Sequence, residues 1–192
     1  MIKKYNFSKG NWCADDFDYV YSARWKTRKE IVQEADCISN DYDDGKMHYI
    51  SLLSKQKYKT GTRLFAKCNF NSFGAPLIVI SNDISRNENG ELSYGVHFEV
   101  VAWYKGLNIW RVQPYPERVE NPIFSTRIAS AEFPVANEEI CDIEVLVENN
   151  ELIVSMNGHK ITVFHEDIPE NFHAGITACE GVNRFYEFTI ED

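Results

Sequence analysis

From residue 141 onward apolar and polar positions alternate with a period of two, the pattern of a strand that buries one face. Cys141, Ile143, Val145 and Val147 alternate with Asp142, Glu144 and Glu148 before Asn149 and Asn150, a pair that tolerates positive φ. The chain returns through Leu152, Val154 and Met156, meets Asn157-Gly158, and leaves through Ile161 and Val163. Asn-Gly between alternating segments is a strong short-range hairpin signal, so residues 140–164 are expected to form a three-stranded meander. The same alternation predicts strands through Leu64, Ala66, Cys68 and Phe70, through Ala174, Ile176 and Ala178, and through Tyr186, Phe188 and Ile190. Residues 76–80 are apolar on both faces, as a central strand covered on both sides would be.

Two segments interrupt this rhythm. Across residues 25–35, Trp25, Val32 and Ala35 fit a helical stripe, while Ile31, Val32 and Gln33 fit a strand equally well. Residues 114–134 carry four prolines, including Pro116 and Pro122, and are expected to form a long ordered loop across one end of the fold. Short strands separated by Gly, Asn and Pro turns, with no convincing long helix, predict an all-β fold, a two-sheet antiparallel β-sandwich. No linker or internal repeat divides the 192 residues, so residues 1–192 are expected to be one domain, and 44% hydrophobic residues suffice for a core.

Charge narrows the partners. At a net charge of -9 the chain would repel polyphosphate unless it carried a concentrated basic patch. Its densest basic run, residues 24–29, is short and is followed by Glu30 and Glu34. Neither nucleic acid nor an anionic membrane is expected as a partner. Lys3 and Lys4 lead into Asp15, Asp16 and Asp18 where a signal peptide would be apolar, and no window is long and apolar enough for a membrane helix. Cys13, Cys37, Cys68, Cys141 and Cys179 are odd in number and far apart, without metal-ligand spacing. They are read as reduced thiols, most of them small core residues, which places the chain in the cytoplasm by expectation. His48, His159, His165 and His173 also lack metal-ligand spacing, and no cofactor or metal is expected.

The segments Asp142-Ile-Glu-Val-Leu-Val-Glu, Leu152-Ile-Val-Ser-Met-Asn-Gly158, Ala174-Gly-Ile-Thr-Ala178 and Phe185-Tyr-Glu-Phe-Thr-Ile190 resemble the closing strands of concanavalin A-like lectin/glucanase domains. That group includes laminin-G-like and hydrolase-associated jelly rolls. The likeness covers roughly the last 55 residues, and the middle loosely through residues 94–101. It implies two curved sheets whose concave face receives glycans or carries glycosidase carboxylates. Retaining glucanases of the group carry Glu-x-Asp-x-x-Glu on one strand; here Glu34 and Asp36 match its first half, but Ser39 stands at the third acidic position. The aspartate and asparagine arrangement of the calcium-binding lectins is also missing, so the resemblance implies no metal.

The residues with most chemistry lie in the segment 94–103. Strict alternation puts Tyr94, Val96, Phe98, Val100 and Ala102 on one face, and His97, Glu99, Val101 and Trp103 on the other. Imidazole, carboxylate and indole would then share one surface, with about 7 Å between successive side chains. An indole covers the apolar face of a pyranose, while His and Glu address hydroxyls or a glycosidic oxygen. The alternatives are a solvated outer face or a structural ion pair for His97 and Glu99, and packing beneath the long loop for Trp103 and Trp110. The next strand carries Trp110 on one face and Arg111 and Gln113 on the other, and its register decides which set extends the surface. A further cluster, Glu180, Asn183 and Arg184, brackets a turn at Gly181, where it either converges on a ligand or stabilises the turn.

Three functions suit this pattern. One is a carbohydrate-binding domain using Trp103, Trp110, Arg111, Gln113, Glu180, Asn183 and Arg184. Another is a glycoside-cleaving enzyme with Glu99 and His97 in catalysis and Glu34 or Asp36 as second carboxylate. The third is a protein-interaction module. Carbohydrate binding is the leading expectation; the ligand and oligomeric state are not encoded in these patterns.

Overall fold

The computed structural model describes residues 1–22, 24, 25 and 28–192, and most of them lie in strands. In chain order these are β1 (Ile2–Asn6), β2 (Phe17–Tyr19), β3 (Val32–Gln33), β4 (Ile38–Ser39) and β5 (Ile50–Lys59). Next come β6 (Arg63–Ser81), β7 (Ile84–Arg86), β8 (Leu92–Tyr94), β9 (His97–Trp103) and β10 (Gly106–Pro114). The last five are β11 (Ile123–Glu132), β12 (Cys141–Glu148), β13 (Glu151–Met156), β14 (His159–Phe164) and β15 (Asn171–Glu191). Thirteen strands share continuous antiparallel hydrogen bonding, while β7 and β8 form a small separate ribbon.

This sheet becomes a sandwich because its two longest strands serve both layers. β6 pairs with β12 through residues 63–68 and with β9 through residues 77–81. β15 runs beside β6 for most of its length, taking β5 along its first half and β4 and β1 along its second. One layer therefore reads β11-β10-β9-β6-β15-β5-β2, and the other β14-β13-β12-β6-β15-β1. Where the two strands cross between layers their backbones touch. A Cβ on Gly181 would lie 2.6 Å from the Gly74 nitrogen, and one on Gly74 would lie 2.5 Å from the Val182 carbonyl oxygen. Both positions therefore require glycine, and the register shifts there between Glu180 and Val182.

Between the layers Ile78, Ile80, Phe98 and Val100 share one core with Ile143, Val145, Val154 and Phe188, all fully buried. Each such side chain contributes roughly 1.5–3 kcal/mol by leaving water. A second cluster covers the outer surface of the first layer and includes Tyr49, Leu53, Leu77, Val79, Tyr94 and Val101. Residues 76–80 thus send Ile78 and Ile80 inward and Leu77 and Val79 outward, as their two-sided apolar pattern predicts. The meander forms as expected in β12, β13 and β14, with positive φ at Asn150, Asn157 and Gly158.

Other expectations need correction. Residues 114–134 are not one long loop: β11 pairs with β10 as an edge strand, and only the connection 115–122 is irregular. Three of the four prolines mark strand ends, since Pro114 closes β10, Pro122 precedes β11 and Pro134 follows it, while Pro116 lies inside the connection. Along residues 25–35 no helix forms among the described residues; Val32–Gln33 is a two-residue strand. The basic run 24–29 falls outside the described residues at positions 26 and 27. Tyr94 ends β8 and joins the outer cluster rather than the core, because Gly95 and Val96 break the alternation before β9 begins. A bulge between Phe185 and Glu187 sends Phe185 inward in place of Tyr186, within a single strand that covers both predicted C-terminal strands.

Candidate functional site

β9 supplies the floor of a cleft on the outer surface of the first layer. Phe98, Val100 and Ala102 enter the core, and His97, Glu99, Val101 and Trp103 line the cleft. β10 runs antiparallel beside it with Val112 opposite His97, Trp110 opposite Glu99 and Asn108 opposite Val101. This register settles which face of β10 extends the surface: it is the face of Trp110. β11 adds Ser125 and Arg127, placed there by a bulge that shifts its pairing after Ile109. Without that bulge the strand would present Ile128 opposite Trp110 instead. Tyr49, Tyr94 and Trp25 form the far wall, with Trp25 stacked on Tyr49 at 6.1 Å and 8°. The cleft holds about 480 Å³, within the roughly 300–1,000 Å³ of small-molecule sites.

Glu99 meets two other polar groups of the cleft. Its side chain is 19% exposed, accepts a hydrogen bond from the Tyr49 hydroxyl at 3.1 Å, and lies 3.4 Å from His97 Nε2. His97 donates from Nδ1 to the Gly95 carbonyl at 3.0 Å and stacks on Tyr94 at 4.4 Å. Burial first, and Glu99 second, push the Tyr49 hydroxyl well above the ordinary tyrosine range; burial also raises Tyr94. Both therefore remain hydrogen-bond donors at neutral pH. Beneath them Ser51, Tyr94 and Thr177 join their hydroxyls in a buried network.

The sequence candidates separate in space. His97, Glu99, Trp103, Trp110 and Glu180 line the cleft. Arg111 and Gln113 lie on the opposite face of β10, where Arg111 donates from Nε to Asp167 at 2.6 Å and from a terminal nitrogen to Gln113 at 2.6 Å. Glu34 is outside the cleft, paired with Arg184 at 3.2 Å, and Arg184 also reaches Asp41. Asp36 is an exposed residue of the bend before β4. Asn183 is buried at the crossing of β15, where its backbone N–H donates to Asn40 Oδ1 at 2.8 Å and its side chain to the Cys179 carbonyl. Cys179 borders the cleft, but burial and the nearby Glu99 and Glu180 raise its thiol well above the usual range, which keeps it protonated.

Sequence reasoning missed Trp25, Tyr49, Asn108 and Arg127, all of which line the cleft. Tyr49 enters β5 through a run, Tyr49-Ile-Ser-Leu-Leu53, that splits between the two faces and has no clean period. Arg127 sat in the segment read as loop. Among the described residues no group of three or more His, Cys, Asp or Glu side chains is arranged to hold a metal ion.

No family model matches the chain, and no curated protein matches it in sequence. Solved structures do resemble it. A carbohydrate-binding module, CBM66 from Bacillus subtilis, superposes with a TM-score of 0.64 at 9% identity, over 92% of this chain and 96% of that one. An inactivated mutant β-agarase B in complex with agaro-octaose gives 0.63 at 10% identity, over 98% and 93%. A legume lectin-like domain from Entamoeba histolytica gives 0.56 at 14% identity, over 93% and 90%. At such identities the likeness shows the fold alone: the chain shares with these structures a jelly-roll β-sandwich of the concanavalin A-like kind.

Proposed function

We propose that the cleft binds a sugar or oligosaccharide without cleaving it. The observation that carries this reading is that three of the chain's four tryptophans, Trp25, Trp103 and Trp110, line one cleft together with His97, Glu99 and Asn108. Ring faces offer the flat apolar surface that covers a pyranose, and the polar groups between them match hydroxyls. The likeness to a carbohydrate-binding module and to an agarase crystallised with agaro-octaose supports the reading, although a shared fold does not by itself carry function. Glycoside cleavage would need a second carboxylate facing Glu99. Glu34 and Asp36 stand outside the cleft, which leaves exposed Glu180 as the other carboxylate lining it.

Tryptophan emission titrated with a panel of neutral and acidic oligosaccharides tests the proposal. A saturable change with at least one class, lost in Trp110→Ala, is the expected result. Emission unmoved by every member would overturn it. Product release from a bound oligosaccharide that stops in Glu99→Gln would instead establish the enzyme.

A further inference from the structure

Charge around Trp110 carries the sugar reading one step further. In a chain of net charge -9 four of the eight guanidinium groups are engaged by carboxylates: Arg28 by Glu91, Arg63 by Glu144, Arg111 by Asp167, and Arg184 by Glu34 and Asp41. Arg127 is not among them. It is exposed on the cleft wall, its guanidinium carbon lies 5.9 Å from the centre of the Trp110 ring, and among the described residues it has no carboxylate partner. Arg24 repeats the arrangement on the far wall, 5.5 Å from the ring of Trp25 and likewise without a carboxylate.

The register places Trp110 between two groups of opposite character, with Glu99 its partner on β9 and Arg127 its partner on β11. Adjacent strands lie about 4.8 Å apart, so the backbones of Glu99 and Arg127 are separated by roughly 10 Å across the indole. That span matches one sugar ring and its substituents. Buried polar atoms without partners adjoin the same place. Asn108 is 6% exposed and its Oδ1 has no hydrogen-bond partner, and neither has the Trp103 Nε1. Asn108 Oδ1 is an acceptor and Trp103 Nε1 a donor, and each lacks the bond that a buried polar group ordinarily makes.

We propose that the cleft selects an acidic saccharide, with its ring over Trp110, its carboxylate or sulfate on Arg127, and its hydroxyls toward His97 and Glu99. This rests on the sugar reading above. A planar guanidinium fork suits both anionic groups, and Glu99, already bonded to Tyr49, lies on the other side of the indole from the anion. The exposed carboxylate of Glu180 also borders the cleft, and the ligand anion is therefore placed at the β11 wall, away from the β15 bend.

The test uses the full chain and four probes: tetragalacturonate, its methyl ester, a 6-sulfated galacto-oligosaccharide, and the unsulfated parent. Wild type is expected to bind at least one acidic probe roughly tenfold more tightly than its neutral counterpart, with the margin shrinking as salt rises. The sulfated and carboxylated arms show which anion is preferred. Arg127→Gln should erase the margin while neutral binding persists, and Arg127→Lys should restore only part of it, since a point charge lacks the fork. Equal binding of acidic and neutral probes, unchanged in Arg127→Gln, would overturn the acid preference and leave the sugar reading standing. No binding by any probe, in a protein whose cooperative unfolding shows it to be folded, would overturn both.

Discussion

Replacing Tyr49 by Phe removes one hydroxyl and little else. The ring keeps its stacking on Trp25 and its place in the outer cluster, so the change falls on the bond to Glu99. A hydrogen bond to a charged group is worth about 1.5–3 kcal/mol. Glu99 borders an open cleft, and a water entering there recovers part of the loss, which puts the expected destabilisation at the lower end, about 1.5 kcal/mol. For a chain of this length that corresponds to a fall in Tm of roughly 3–6 °C. Urea unfolding of wild type, Tyr49→Phe, Glu99→Gln and the double variant measures it, with a constant m-value showing that only stability has changed. The double-mutant cycle should return a coupling of about 1 kcal/mol or more. Tyr49→Phe indistinguishable from wild type, or a coupling near zero, would refute the view that this hydroxyl holds Glu99 in place.

Further outcomes follow from the same geometry. Trp110→Ala should weaken glycan binding about tenfold or more, whereas Arg111→Ala, on the opposite face and bonded to Asp167, should leave binding intact and cost about 1 kcal/mol in unfolding assays; the reverse pattern would mean that the faces of β10 are misassigned. Gly106 has φ +114 and a Cβ there would lie 2.2 Å from the Ala131 carbonyl oxygen, so Gly106→Ala should destabilise the fold by about 2 kcal/mol or more in chemical denaturation. In a thiol assay at pH 8 exposed Cys13 should react at once, whereas Cys37, Cys68 and Cys141 should react only on unfolding. Burial pushes Cys37 and Cys141 up to about 12 and Cys68 well above the ordinary thiol range, so their thiolate fraction is negligible at that pH. Rapid labelling of all four thiols in the folded protein would contradict this.

The local pattern of residues determined a good deal of this protein. Alternation and Asn-Gly chemistry act between neighbours along the chain, and they were enough to specify the meander of β12 to β14, the two-sided strand at residues 76–80, and the shared face of His97, Glu99 and Trp103. What lay beyond them depended on pairing between distant segments. Whether Trp110 or Arg111 joined Glu99 was decided by the register of β10 on β9, and the bulge beside Ile109 turned Arg127 toward the cleft. Tyr49 reached Glu99 only through β5, which β15 holds in the layer. Glu34, spaced from Asp36 like part of a catalytic motif, was drawn instead to Arg184, 150 positions away. A strand's period states which residues share a face, but which face meets which neighbour is set by hydrogen-bond register between strands far apart in sequence, and a shift of one residue reverses it.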